Sequence, residues 1–154
     1  MRRRPHGDRR MNLVVRLLED GDQGLLGRVA PEVFDHAVYP LLADAFLRDP
    51  RHHLVGAIAD DRLVGFVSAL DYWHPDKPRE LWINEVGVAP AWQHRGVGTR
   101  LLQTTIEHAR SLGCVNVWVL TEPDNARALG LYRKVGGQSG TNMVVFSFEL
   151  MGDA

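Results

Sequence analysis

The sequence predicts an α/β fold, a single mixed sheet with helices on both faces. Three observations predict it. Apolar residues run through 53–59 and 63–70 on either side of Asp60-Asp61, which reads as a hairpin and therefore as antiparallel pairing. Residues 81–120 read as strand, turn, helix and strand, and two strands joined that way lie parallel with a right-handed crossover. A chain of 154 residues with 45% hydrophobic content is long enough for one real core and too short for two.

Taken in order, residues 13–17 form a short apolar run, a first strand. Residues 19–29 carry Leu25, Leu26 and Val29 in a weak amphipathic helix interrupted by three glycines. Pro31 breaks it. Pro40 stands where a second helix starts, with Leu41, Leu42, Ala45 and Phe46 expected on one face, and Asp49-Pro50 ends it. The hairpin strands follow. Residues 73–79 hold two prolines and no periodicity, so they form a loop. Residues 81–88 are the next strand, with Val86 and Val88 on one face. Residues 93–112 are the main helix, closed by Gly113. Residues 115–120 are a strand and 121–124 a turn. Asn125 caps a helix carrying Ala128, Leu129, Tyr132 and Val135, which Gly136-Gly137 stops. Residues 142–150 are expected as a last strand.

Charge is unevenly placed. Residues 1–11 hold five arginines and one aspartate, a balance of +4, which leaves −5 for the rest of a chain whose net charge is −1. The tail reads as a disordered leader, or as the product of an upstream start with Met11 as the natural one; no apolar stretch follows it to make a signal. The remaining domain, 12–154, is mildly acidic, which speaks against nucleic acid and suits a cationic ligand. No apolar run reaches membrane-spanning length, so no membrane is expected. The single cysteine, Cys114, allows no internal disulfide, fits a reducing, cytoplasmic compartment, and reads as a small core residue. Seven histidines show no metal-binding spacing, and no metal is expected.

The stretch 81–102 organises the chain. A strand feeds a turn at Ala89, Pro90 and Ala91. Then Gln93, His94, Arg95, Gly96, Val97 and Gly98 open the main helix. Glycines at a helix mouth let backbone approach a ligand, and the unpaired first amides and the helix dipole favour phosphate oxygens. The same glycines also suit a tight turn with no ligand. Two glycines fall short of the dinucleotide fingerprint, and the Lys-Ser/Thr pair of a P-loop is absent.

What remains is Q/R-x-x-G-x-G/A after V-x-P. It resembles the acetyl-CoA pyrophosphate loop of the GNAT superfamily of N-acetyltransferases, and the resemblance extends from Asn12 onward. It implies a central mixed sheet of six to seven strands whose two parallel central strands splay apart to admit pantetheine. It implies acetyl-CoA as cofactor, held by Val86, Gly87, Val88, Gln93, His94, Arg95, Gly96, Val97, Gly98, Thr99, Asn125 and Tyr132. Glu85 lies inside an apolar strand and is either solvent-facing or buried for a purpose; the resemblance makes it the general base. Tyr132, in Leu131-Tyr132-Arg133-Lys134-Val135-Gly136, is by spacing a core aromatic and by resemblance the general acid to the leaving thiolate. The first two helices and the loop before the 81–88 strand border the acceptor in this superfamily. That draws in Asp35, Tyr72, Trp73, Asp76, Glu85 and Glu122, with Asp71, Glu80 and Asp124 as further acids; Tyr72 and Trp73 would stack on sugar faces, and each loop or surface acid is otherwise a solvated charge.

The runs R-H-H-L, H-P-D-K-P, L-W-I-N-E-V-G-V and L-G-C-x-x-x-W-V-L-T resemble the aminoglycoside 3-N-acetyltransferase branch, which acetylates the 3-amino group of the deoxystreptamine ring. Glu85 is longer than the aspartate of some members, which points to a water-mediated base. The expectation is therefore an aminoglycoside-acetylating resistance enzyme working by direct transfer in a ternary complex. The alternatives are transfer to another amine (a polyamine, an amino acid or a protein N-terminus) and a non-catalytic acetyl-CoA-binding domain. Dimerisation, common in the superfamily, points to residues 144–148 as a homodimer contact.

Overall fold

A computed structural model describes residues 12–140 and 142–151. The basic tail and the choice between Met1 and Met11 lie outside the described residues. Five strands form one sheet in the order β1 to β5: β1 Leu13–Leu18, β2 His52–Ala59, β3 Arg62–Tyr72, β4 Glu80–Val88 and β5 Asn116–Val119. The first three pairings are antiparallel and β4–β5 is parallel. The helices are α1 Gln23–Leu26, α2 Pro40–Arg48, α3 Val97–Ser111 and α4 Ala126–Lys134.

The alternation of β2 explains the two layers. Val55, Ala57 and Ala59 pack with Val97, Leu101, Leu102 and Ala109 of α3, while Leu54 packs with Leu25, Leu26 and Ala43 on the α1–α2 side. Asp60 and Asp61 both take positive φ, 49° and 61°, as a two-residue hairpin between right-twisted strands requires.

Two elements are shorter than the periodicity suggests. α1 is confined to four residues, because Gly21 turns the chain left-handed at φ 108° before it and glycines at 24 and 27 weaken it. α3 begins at Val97 rather than at residue 93. A 3-10 turn, Pro90–Trp92, comes first, and His94 and Gly96 then sit at φ 60° and 77°, which no helix admits.

One expected element does not form. Residues 142–150 are described without strand pairing, and Phe146 and Phe148 are 80% and 83% exposed. The alternation is present but the ladder is not, and a strand without a neighbour leaves its backbone groups to water. The sheet therefore has five described strands instead of six or seven.

A buried polar cluster closes the far end of the sheet. Asp71, fully buried, accepts from His53 Nε2 at 2.5 Å and from Arg79 Nε at 2.6 Å. Arg79 also donates to the Leu112 carbonyl, and His108 Nε2 lies 2.9 Å from His53 Nδ1. The cluster ties β2, β3 and the end of α3 together, so Asp71 acts inside the fold and not at an acceptor surface. Among the described residues no helix is long and apolar enough to cross a membrane.

Candidate active site

The site is built around a defect in β4. Pairing with β3 runs Val67 with Val86 and Ser68 with Glu85, then Ala69 with Ile83, so Asn84 is an extra residue. The bulge shifts the phase of the strand. Leu81 and Ile83 face the α3 core, and so do Val86 and Val88, three and five residues beyond Ile83. Without the extra residue Glu85 would point into that core. With it, Glu85 and Gly87 face the α1–α2 side.

Gly87 meets the loop there. A Cβ on it would touch the Val33 carbonyl and the Phe66 ring, and Phe34 stacks on Phe66 with ring centroids 4.1 Å apart. Residues 33–35 are thereby held against β4, and the Asp35 charge acts on Glu85. Burial first, and Asp35 second, push the Glu85 carboxyl above its ordinary proton affinity, with His36 opposing.

A cleft of about 690 Å³ opens beside these residues. Its walls come from the loop before α2, the end of β4, the turn into α3, and α4. Of the residues expected from the sequence, it brings together Asp35, Glu85, Val86, Gly87, Val88, Gln93, His94, Gly96, Val97, Gly98, Thr99, Asn125 and Tyr132. Gln93 donates to the Val88 carbonyl and fixes the turn. The Asn125 side chain accepts from the Ala128 amide, capping α4 as expected. Burial pushes the Tyr132 phenol up, so it keeps its proton.

Eight expected residues do not line the cleft: Arg95, Tyr72, Trp73, Asp76 and Glu122, and the further acids Asp71, Glu80 and Asp124. Arg95 lies over the Trp92 ring, its guanidinium carbon 5.5 Å from the centroid. Tyr72 donates its hydroxyl to Glu80 and accepts from Trp118 Nε1. Tyr72 pairs with Glu80 at the start of β4, five residues from Glu85 and so about 16 Å along the strand. Trp73 packs under Arg79, Asp76 bonds His74 and Lys77, and Glu122 sits exposed in the turn before Asn125. The hairpin loop thus folds onto its own charges and away from the cleft.

The cleft also holds residues that the sequence alone did not single out. Glu32 joins Asp35 and Glu85 in the lining. Arg127, Leu131 and Lys134 line it from α4, at i, i+4 and i+7 from a helix start that Asn125 marks. Helical spacing counted from that cap was the signal available for them. The charges of the lining come from different elements: the carboxylates from the loop before α2 and from β4, and the fixed positive charges, Arg127 and Lys134, from α4.

The turn fits a diphosphate. Gly96 precedes α3 in the left-handed conformation with no side-chain cap on the helix, and Gly98 lies so close to Leu131 that a Cβ would meet Leu131 Cδ2 at 3.1 Å. The first amides of α3 are thus left without a side-chain cap, at a turn whose Gly96, Val97, Gly98 and Thr99 line the cleft.

Comparison with known proteins agrees with this geometry. Residues 22–137 match the model of the Acetyltransferase (GNAT) family, and the chain belongs to that family, whose cofactor is acetyl-CoA. It is 41% identical over 92 residues to the N-alpha-acetyltransferase RimI of Mycobacterium tuberculosis, a match covering 60% of this chain and 56% of that protein. It is 28% identical over 139 residues to the L-2,4-diaminobutyric acid acetyltransferase of Nocardia farcinica, covering 88% of this chain and 70% of that one. Among solved structures, an aminoglycoside acetyltransferase from an uncultured soil metagenomic sample, in complex with sisomicin, superposes with a TM-score of 0.79 over 90% of this chain and 97% of its own. At 17% identity that likeness concerns the fold.

Proposed function

We propose that the protein is an acetyl-CoA-dependent N-acetyltransferase acting on a primary amine of a polycationic small molecule, the 3-amino group of an aminoglycoside. The observation that carries this reading is the divided charge of the cleft, with Glu85 among its carboxylates. Acetyl-CoA supplies an activated acetyl thioester. The amides at the start of α3, with Arg127 and Lys134, offer donors and positive charge to its phosphates. Glu85 takes a proton from the incoming ammonium group, directly or through a water, and burial and the neighbouring Asp35, by raising its proton affinity, favour that exchange. Tyr132 holds its proton and can pass it to the departing sulfur. Glu32 and Asp35 offer further carboxylates to the remaining ammonium groups of such an acceptor. The likeness to aminoglycoside acetyltransferases in fold supports the reading without fixing the position acetylated.

A second reading has its own support. The sequence similarity to RimI and to the diaminobutyric acid acetyltransferase favours an amino-acid or peptide amine. A thiol-release assay with acetyl-CoA against gentamicin, spermidine, 2,4-diaminobutyrate and peptides with free N-termini separates the two. Turnover with gentamicin, with the product mapped to the 3-amino group, supports the first reading. Turnover confined to diaminobutyrate or the peptides replaces it with the second.

A further inference from the structure

Four polar side chains are buried among the described residues: His53, Ser68, Asp71 and Thr105. Three have partners inside the fold. His53 and Asp71 bond each other, and the Thr105 hydroxyl donates to the Leu101 carbonyl one turn back along α3. Ser68 differs: its hydroxyl bonds no described residue. Nor is that hydroxyl shut off from solvent. Among the described residues, the unpartnered side-chain atoms that are shut off belong to His52 and Trp82. A buried serine whose hydroxyl still reaches open space needs a reason.

The register says where the hydroxyl stands. Ser68 pairs with Glu85 across β3 and β4, and with Leu54 across β2 and β3. Residues paired directly across an antiparallel ladder share a face, with Cβ atoms about 5 Å apart. That face is the α1–α2 side, where Leu54 and Phe66 also pack. Along β3 the neighbours of Ser68 on it are Phe66 and Leu70. Of these four neighbours, Glu85 alone is polar. The Glu85 carboxyl feels burial, Asp35 and His36, and it accepts no hydrogen bond from a described residue. Two polar groups that face one another at this spacing without touching are placed for a single bridging water.

We propose that Ser68 is the positioning residue of the base: its hydroxyl and the Glu85 carboxylate hold one water between them, and the acceptor amine gives up its proton through that water. The ammonium N–H bond breaks as the water oxygen takes the proton. The water passes one of its own protons to a Glu85 oxygen, so an N–H bond is exchanged for an O–H bond and the water is regenerated. Ser68 donates to one lone pair of the water, which leaves the other for the amine and a hydrogen for Glu85. The inference rests on the reading of Glu85 as the base and names the route its proton takes.

A crystal structure and an NMR titration of the Glu85 side-chain carboxyl, assigned by its loss in Glu85→Gln, test it. The expected result is a water within about 3.2 Å of both Ser68 Oγ and a Glu85 oxygen, absent from Ser68→Ala. The Glu85 carboxyl should titrate at higher pH in Ser68→Ala, because a donor to its charged form has been loosened, and Ser68→Thr, which keeps the hydroxyl, should titrate as the wild type does. With the acceptor that the thiol-release panel turns over, Ser68→Ala should lower kcat about tenfold and leave the KM for acetyl-CoA unchanged. In the Glu85→Gln background the same change should have no further effect. A direct bond between Ser68 and Glu85, or both side chains ordered with no shared water, overturns the proposal. So does a Glu85 titration that Ser68→Ala does not move, or an equal loss of kcat in both backgrounds, which makes the serine a packing residue. Failure of the base reading looks different, since Glu85→Gln then turns over at the wild-type rate. The crystal and the titration need no turnover, so they decide the matter whatever the acceptor.

Discussion

A Cβ built on Gly87 would stand 2.5 Å from the Val33 carbonyl oxygen and 2.6 Å from Phe66 Cε1. Strand β4 and the loop before α2 are therefore in backbone contact where Asp35 is brought to bear on Glu85. Gly87→Ala must displace the loop, because carbonyl and aromatic ring cannot both yield within a packed core. The expected cost is about 1–3 kcal/mol of stability, read by chemical denaturation. With both substrates varied, the KM for the amine should rise well above that for acetyl-CoA. Equal effects on the two would show that the loop does not serve the acceptor.

Glu85→Gln should lower turnover by about 10²–10⁴-fold while leaving acetyl-CoA affinity, measured by calorimetry, unchanged. Unchanged turnover removes Glu85 as the base, and bound cofactor without turnover in the wild type would instead mark a binding module. The wild-type kcat/KM should climb with pH through an inflection above the ordinary glutamate range, since burial and then Asp35 hold the carboxyl protonated. Asp35→Asn removes a negative neighbour, so that inflection should move to lower pH.

The same shift has a sign for stability. A carboxyl whose proton affinity is higher in the folded state favours folding at acid pH, and the benefit is lost as pH rises through the folded-state value. Glu85→Gln should therefore raise the Tm at neutral pH relative to wild type and give no gain at acid pH. A Tm difference that stays constant with pH would contradict the assigned environment.

Tyr132→Phe keeps the ring that packs against the α3 core and removes only the hydroxyl. The expected result is a fall in kcat of about 10²-fold with little change in acetyl-CoA affinity. The alkaline limb of the wild-type pH profile should lie above the usual phenol range, because burial raises this group, and it should vanish in the variant. A full-rate variant would leave Tyr132 a packing residue.

Asp71 works in the opposite direction from Glu85. Burial alone would raise its carboxyl, but the bonds from His53 and Arg79 outweigh that and hold it below the ordinary range. Its contribution to stability is present above the unfolded carboxylate value and is lost as pH falls through the folded one. Asp71→Ala, which strands Arg79 and His53, should cost about 3 kcal/mol at neutral pH and less in acid, measured by urea unfolding at each pH.

Much of the fold was legible locally. The Asp60-Asp61 hairpin, the Asn125 cap and the start of α2 at Pro40 each depend on a few adjacent residues, and each forms as expected. Where α3 starts was not legible, because the left-handed turn at His94 and Gly96 competes with a helical pattern already running through it. Tyr72, Trp73 and Asp76 drew attention as an aromatic and acidic loop beside the site. Their partners, Glu80, Arg79 and Lys77, lie within a few positions of them in the chain, but nothing in the pattern says which way such a loop folds.

The sequence by itself determined the strand–turn–helix unit with its paired glycines, the two-faced sheet, and the acetyl-transfer family to which these point. Those follow from period, turn chemistry and caps, all properties of neighbours in the chain. Only the tertiary structure decided that Glu85 faces Asp35 and not the α3 core, and that the apolar end of the chain has no seat on its own sheet. Both depend on how one strand registers against another: a single extra residue at Asn84 reverses which side a carboxylate takes, and an alternating segment becomes a strand only beside an open edge.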